Sequence, residues 1–591
     1  MRASRFVALR RWRSLAIPLA ISAPLLWVAE GLRRASLTPL GRDQGIFQYI
    51  AWALGNGEVD YRDVRDVNGP LTHLVHALFL ALGASDEHRF RVLDLLSTTL
   101  AFAFVGACVP GLRDARPRPI APPPDLLERA GWGLAGCVVL SGQYLQYDFW
   151  HSAQRESFFD WFMLPSVALQ LFAQAPSRGG EVLARRHQAV LLAIVGGLSV
   201  IPWFGKPTYV LFTVAQIVAL LADPMLLLSR SRALAAFGAG ASAGASLGTG
   251  LLAVYGDLRA FARIQLGDVP ASYRFIWARK PSEVFATPWT ATQAILAIAG
   301  AAAMLALIGF RRMPARAIGV ALVPLCGLGS VIVQAKGFRY HFHPVTAGVH
   351  LQWLVCVAWL AERSRVSRRD RALLRLVPFA AALAVALRVA LTTRDSSYLQ
   401  AGWLRSEAAT QQGRSSPEYF AHFPEPDFFP YALRQAAAYL RSHTRPGDRV
   451  QTYGMDPYVL FLARRESATP YIYAYDLDAD AALSGGTGAR PDPTQSLRIR
   501  AIRDAHEADL LARVRAQPPA AFVFIDGAPL LLRADAWTDF VDHCEPTATW
   551  VIARYVETAR FGPDHIWLRA DLIEVSGGNI SPNEASAPSA P

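Results

Sequence analysis

The chain has 591 residues, of which 52% are hydrophobic and only 18% charged. A water-soluble globule carries about 25% charged residues, and with a mean hydropathy of +0.22 a single soluble domain is excluded. The net charge of +12 does not point to nucleic acid either: residues 392–591 hold 19 Arg against 25 Asp plus Glu, a net of −6, so residues 1–391 carry +18 and the basic charge belongs to the apolar part.

The N-terminus opens with a positive segment, RASRFVALRRWR, before an apolar run at 14–31 that leads into WVAEGLRR. No small-residue cleavage site follows, which predicts a retained signal anchor. Apolar runs approaching the roughly 20 residues that a helix needs to cross the hydrocarbon core then recur at 91–112, 131–147, 157–174, 188–204, 207–222, 233–254, 290–309, 317–334, 341–361 and 372–391, giving eleven spans in all.

Residues 69–84 are apolar but short, and they carry Gly69, Pro70, His73 and His76. If this segment does not span, the Arg-rich connections fall on one side together with the basic N-terminus: Arg113, Arg116, Arg118 and Arg129; Arg178, Arg185 and Arg186; Arg230 and Arg232; Arg311, Arg312 and Arg316; and the cluster from Arg363 to Arg375. Cytoplasmic loops collect Lys and Arg, so the segment reads as an interfacial or re-entrant helix. The N-terminus is then cytoplasmic, and the C-terminal domain lies outside, periplasmic or extracellular.

The chain has 56 Arg but only three Lys, and Lys206, Lys280 and Lys336 all fall in predicted exterior connections, against the positive-inside trend. Snorkelling at the interface and a role in an exterior site are the two readings. Glu30, Asp94, Glu156 and Asp160 sit toward exterior span ends. Ion-coupled transporters place ionisable groups near the midplane, so the sparse midplane charge disfavours that class. Small residues at 237–249, FGAGASAGASLGT, predict a helix-packing surface.

The first exterior loop, 32–90, contains GRDQGIFQYIAWALGNGEVDYRDVRDVNGPL. Asp43 opens a short helical pattern through Ile46, Phe47, Ile50 and Leu54, either as an N-cap or as a functional carboxylate. Asp60, Asp63, Asp66, Asn68, Gly69 and Pro70 are all turn formers. Beyond a linker at 392–428, residues 429–575 alternate helix and strand patterns: a helix from Tyr431 to His443, a strand at VQTYG, a helix at PYVLFLARR, then helix, turn and strand in ADLLARVRAQPPAAFVFIDG, and a strand pair in WVIARYVETARFGPDHIWLRA. These predict a small soluble α/β domain. The tail, 576–591, is disordered by composition. Cys544 is the only cysteine after residue 391, so no disulfide forms within this domain.

The first loop resembles that of the GT-C glycosyltransferases, particularly the bacterial relatives of protein O-mannosyltransferases and of the lipid A aminoarabinose transferase. The resemblance is carried by Asp43, Gly45 and Phe47; by Gly57, Tyr61 and Asp63; by Gly69, Pro70 and Leu71; and by Gly83 with Arg89 or Arg91. It implies a polytopic α-helical, GT-C-like catalytic domain over residues 1–391, with about 11 transmembrane helices and interfacial helices in the first loop. It also implies an enzyme that moves a hexosyl or pentosyl group from a polyprenyl-phosphate carrier to a glycan, lipid or protein acceptor at the outer membrane surface. On that basis Asp43 is the expected base. Arg155, Lys206, Lys336, Arg339, Tyr340 and His341 are expected to bind the leaving phosphate and substrate, and Asp63, Asp66 and Glu156 are further acidic candidates. Glu156 beside Arg155 has a rival reading as a local ion pair. Gln44 stands where many family members carry a second acid; no cofactor is certain, and a divalent cation stays open. His341 and His343, two residues apart, point to different faces of an incipient helix and do not predict a metal site. Nucleic acid is not an expected partner, and no nucleotide-binding glycine loop is present. A transporter or flippase of a lipid-linked substrate, or a non-catalytic assembly subunit, are the alternatives.

Overall fold

The computed structural model describes residues 15–111, 124–174, 181–366, 372–402 and 413–576. Arg113, Arg116, Arg118, Arg178, residues 367–371 of the basic cluster and the expected tail beyond Ser576 lie outside these. The chain divides into two compact units. The first combines Met1–Gln44, Asn68–Tyr255 and Ala278–Ala409; the second combines Gly45–Val67, Gly256–Trp277 and Thr410–Pro591.

The first unit is helical, and each of the eleven expected spans has helix in its place. Among the described residues, seven helices are long and apolar enough to cross a membrane: Glu87–Cys108, Ala184–Phe204, Arg230–Tyr255, Pro288–Gly309, Ala315–Gln334, Arg339–Ser364 and Leu376–Arg394. An eighth arises if Leu15–Ile21 and Leu25–Ala35, bent by 44°, form one span. The helices Leu126–Tyr144 and Arg155–Ala173 hold more polar residues, and Pro207–Ala222 is shorter. The ambiguous segment at 69–84 forms the 12-residue helix Pro70–Ala81, too short to span. Pro70 occupies its first turn, where a missing N–H costs nothing. A Cβ on Gly69 would stand 2.2 Å from the Phe204 carbonyl oxygen, so only glycine admits this backbone approach.

Close backbone contact also joins Glu181–Val200 to Arg230–Tyr255. A Cβ on Gly240 would lie 1.7 Å from the Ala193 carbonyl oxygen, and one on Gly196 would lie 2.0 Å from that of Phe237. This is the packing surface expected from the small residues at 237–249. Lipid offers apolar side chains no reason to leave it, so such helices associate through close van der Waals fit and small residues dominate the contact.

The second unit carries a mixed four-stranded sheet in the order β1–β2–β4–β3, with β1 at Val450–Tyr453, β2 at Ala521–Ile525, β3 at Tyr555–Phe561 and β4 at Asp564–Arg569. β1 and β2 are parallel, as befits strands joined through the helix Pro493–Ala516, and the other pairs are antiparallel. β2, AFVFI, is buried along its whole length, which explains its unbroken apolar run. Phe522, Phe524, Phe540, Leu510, Val514 and Val551 pack in one core on this sheet. One detail differs from expectation: Trp550–Ile552 complete the helix Glu545–Ile552 rather than starting a strand.

Two segments from the apolar half of the sequence join this second unit. Arg65 is buried and bridges Asp268, at 2.9 Å, and Asp476, at 3.0 Å, while its backbone N–H donates to the Pro470 carbonyl at 2.9 Å. Asp60 pairs with Gly256 by a backbone bridge. A buried guanidinium needs paired carboxylates to offset desolvation, and here the two carboxylates come from two different segments.

The helix contact yields a matched comparison. Gly240→Ala should destabilise the protein in detergent by on the order of 1–3 kcal/mol, because the two helices must part. Gly238→Ala, on the same helix with nothing within 4 Å of its Cβ, should be neutral or stabilising by up to about 1 kcal/mol. Thermal melting of the two variants checks this; equal melting points would contradict the backbone-contact account.

Candidate active site

The chemistry-bearing residues of the first unit come from four short connections and the helix ends that flank them. Arg155 and Glu156 open the helix Arg155–Ala173. Lys206 precedes the 3₁₀ turn Pro207–Tyr209, and Tyr340 and His341 lie in the 3₁₀ turn Arg339–Phe342. In the first of these turns Pro207 fixes φ at the start.

Glu156 is the hub. Its carboxylate, 1% exposed, pairs with the Lys206 ammonium and lies 3.6 Å from His341 Nε2. Lys206 also donates to the Gln334 side-chain oxygen. Arg155, next in sequence to Glu156, turns elsewhere: one of its terminal nitrogens donates to Asn68 Oδ1 and the other to the Tyr340 hydroxyl at 2.8 Å. Arg155 and Glu156, open in the sequence between a local ion pair and separate roles, each bond partners distant in sequence.

Asp43 lies in the first turn of the helix Arg42–Gly55 rather than ahead of it, so it is not the N-cap residue. It is half-buried, and its charge acts on Lys206, as does that of Arg155. Lys206, Arg155 and Lys336 in turn all act electrostatically on His341. Asp43, Arg155, Glu156, Lys206, Lys336, Tyr340 and His341 are thus linked by bonds or through-space fields within one unit.

Electrostatics at this cluster are dominated by burial. Burial pushes the Lys206 ammonium down to about 8, with the Glu156 carboxylate pulling the other way and Arg155 adding to the fall. Lys336, 7% exposed, is likewise pushed down to about 8 by burial. Glu156 Oε2 and His341 Nδ1 are buried without a hydrogen bond among the described residues, a cost usually met by water or a ligand.

The remaining candidates go elsewhere. Arg339 donates to the Gln146 carbonyl at 2.7 Å, stands 3.8 Å from Asp148, and lies over the Trp289 ring at 4.9 Å. Burial opposes ionisation of Asp148, yet the His151 ring at 2.8 Å and the Arg339 charge hold its carboxyl below the ordinary value. Lys280 is exposed. Asp63 and Asp66 bond within the second unit: Asp63 with Arg62 and the Val59 N–H, and Asp66 with the Tyr473 hydroxyl at 3.3 Å. His343 Nε2 meets the His151 carbonyl at 2.9 Å and stacks on Tyr147. Among the described residues no three His, Cys, Asp or Glu side chains are grouped to hold a metal ion.

Two members escaped the sequence reading. Asn68 passed as a turn former before Gly-Pro, and Gln334 as the polar end of an apolar run. The available signal was a carboxamide directly before a tight turn or at the last residue of a span, in a connection on the side where the lysines gather.

No family model and no curated protein matches the sequence. The fold does have relatives among solved structures. The crystal structure of ArnT from Cupriavidus metallidurans bound to undecaprenyl phosphate aligns over 93% of this chain and 97% of that one, with a TM-score of 0.51 and 11% identity. The Archaeoglobus fulgidus oligosaccharyltransferase, crystallised with Zn and sulfate, aligns over 92% and 72% with a TM-score of 0.41 and 11% identity. The chain therefore shares the fold of the ArnT structure.

Removing Glu156 should leave the Lys206 ammonium buried without its counter-charge. Glu156→Ala is expected to lose about 3–5 kcal/mol of stability, and the double variant with Lys206→Met should recover part of the loss. Chemical denaturation of detergent-solubilised protein measures both; a double variant no more stable than Glu156→Ala would contradict the pairing.

Proposed function

We propose that this chain is a membrane glycosyltransferase that moves a sugar from a polyprenyl-phosphate carrier to an acceptor hydroxyl on the outer face of a bacterial inner membrane. The observation that carries the reading is the buried meeting of Arg155, Lys206 and Glu156 with Tyr340 and His341, with the Asp43 charge acting on Lys206, on a GT-C fold. A lipid phosphate is supported as the group bound there because a solved structure of the same fold holds undecaprenyl phosphate. A guanidinium and an ammonium in a dry setting suit a phosphate oxygen better than any neutral ligand.

In this reading Asp43 accepts the proton from the acceptor hydroxyl. The freed oxygen forms a bond to the anomeric carbon as the bond from that carbon to the phosphate oxygen breaks. The electron pair leaves with the polyprenyl phosphate, whose new charge is met by Arg155 and Lys206. Tyr340 and Asn68 aim Arg155, and Glu156 with Gln334 aims Lys206. Pre-set donors at the point where charge develops lower the barrier without reorganisation. No step is routed through a metal ion.

The basic connections on one side and the three lysines on the other support an N-terminus in the cytoplasm and an exterior site. A sugar-transfer role for residues 1–391, with 429–575 as an exterior accessory domain, follows from the same orientation.

Asp43→Asn should lower transfer by about 10²–10⁴-fold in membranes supplied with a polyprenyl-phosphate sugar, with the melting point unchanged; full activity would remove Asp43 from the base role. Movement of the lipid-linked substrate without any glycosidic product would favour a transporter instead. Burial sets Lys206 and Lys336 near 8, so both ammonium groups lose their protons as pH rises past that value. Donor KM should therefore climb about tenfold between pH 7 and 9, the size of one charged hydrogen bond. Lys206→Arg should remove the part of that rise that Lys206 supplies, and Lys206→Gln should show a raised KM already at pH 7. A flat donor KM across this range in the wild type would contradict the assignment.

A further inference from the structure

The second unit contains a cleft that the transfer reading does not use. It has a volume of about 340 Å³ and is walled by first-loop residues 57–63, by the stretch 467–470 after β1, and by the end of the helix Pro493–Ala516 with Gln517 beyond it. That volume lies within the range of small-molecule sites, which are mostly apolar. This one is lined almost entirely by polar atoms.

We propose that this cleft is a binding site for a neutral, hydroxyl-rich ligand of the oligosaccharide class. The argument rests on how its charges are arranged. Three guanidiniums line it, those of Arg62, Arg449 and Arg513, and each is already paired: Arg62 with Asp63, Arg449 with Glu58 and with Glu466 at 3.0 Å, and Arg513 with Asp509 at 2.8 Å. A phosphate or a polyanion would meet the Glu58 and Asp63 carboxylates in the same wall, and a polycation would meet the guanidiniums. A lipid tail would find no apolar wall. Vicinal hydroxyls, by contrast, each donate one hydrogen bond and accept others, and they fit beside planar carboxylate and guanidinium groups that keep spare lone pairs and N–H groups after pairing.

The walls are also held in advance. Arg449 donates to the Ser467 carbonyl at 2.7 Å while it holds two carboxylates, and Asp63 accepts from the Val59 N–H at 2.8 Å. Ordered side chains cost less to bind against than free ones. Arg62, Arg513 and Gln517 remain exposed at the cleft, where a ligand can reach them. Ligand binding in this cleft does not depend on sugar transfer at Asp43.

The full chain in lipid nanodiscs, applied to an array of neutral oligosaccharides, acidic oligosaccharides and unglycosylated peptides, tests the proposal. Wild-type protein and Asp43→Asn should both bind neutral oligosaccharides, and the double variant Arg513→Ala with Gln517→Ala, both on the exposed helix end, should bind them at least tenfold more weakly with an unchanged melting point. Binding confined to acidic glycans or to peptides, binding unaffected by the double variant, or no neutral oligosaccharide bound at millimolar concentration would each overturn it. Glycan binding by a chain that transfers no sugar would leave the cleft standing and remove the transferase reading.

Discussion

The constraint on which the membrane part depends is the burial of Glu156. A carboxylate taken out of water is costly unless charge and hydrogen bonds are returned to it, and the fold returns them through Lys206, itself held by Gln334, with the His341 ring 3.6 Å away. Satisfying this one group draws the ends of several helices to a common point. Arg155, the neighbour of Glu156 in sequence, is aimed by Asn68 and Tyr340. A buried cation pair, held in place before any ligand arrives, is the consequence.

That arrangement also explains why the lysines stand out. Arginine serves nearly every cationic role in this chain, with 56 Arg to three Lys. Arginine stays charged at any ordinary pH, whereas a buried ammonium yields its proton readily. Burial brings Lys206 and Lys336 close to physiological pH, and lysine is the cation that permits it. The third, Lys280, is exposed and takes no part in the cluster.

Much of this was legible in the sequence, for physical reasons that are local. Apolar runs located the helices because hydrophobic length is a one-dimensional property. The shortness of 69–84 and its Gly-Pro start foretold the helix Pro70–Ala81. The small-residue run at 237–249 foretold a backbone contact. Long-range pairing was not legible. Nothing in the periodicity of 45–67 or 256–277 reveals that Arg65 reaches Asp268 and Asp476, or that Asp60 meets Gly256. For the same reason Asp63 and Asp66, read with Asp43 as one acidic loop, turn out to bond within the second unit. Adjacency could not decide between a local pair and separate partners for Arg155 and Glu156, because a helix start sends successive side chains about 100° apart. Trp550–Ile552 show a different failure: β-branched and aromatic residues end a helix there, because packing on the core overrides their strand preference.

The central claim is that Arg155 and Lys206 together hold a lipid phosphate beside Asp43. A cryo-EM map of the full chain in nanodiscs loaded with undecaprenyl phosphate tests it most directly. The account predicts phosphate density within hydrogen-bond reach of the Arg155 guanidinium and the Lys206 ammonium, with the Asp43 carboxylate facing the same space. A phosphate bound away from both cations, or a Lys206 still sealed by Glu156 with the lipid elsewhere, would contradict it.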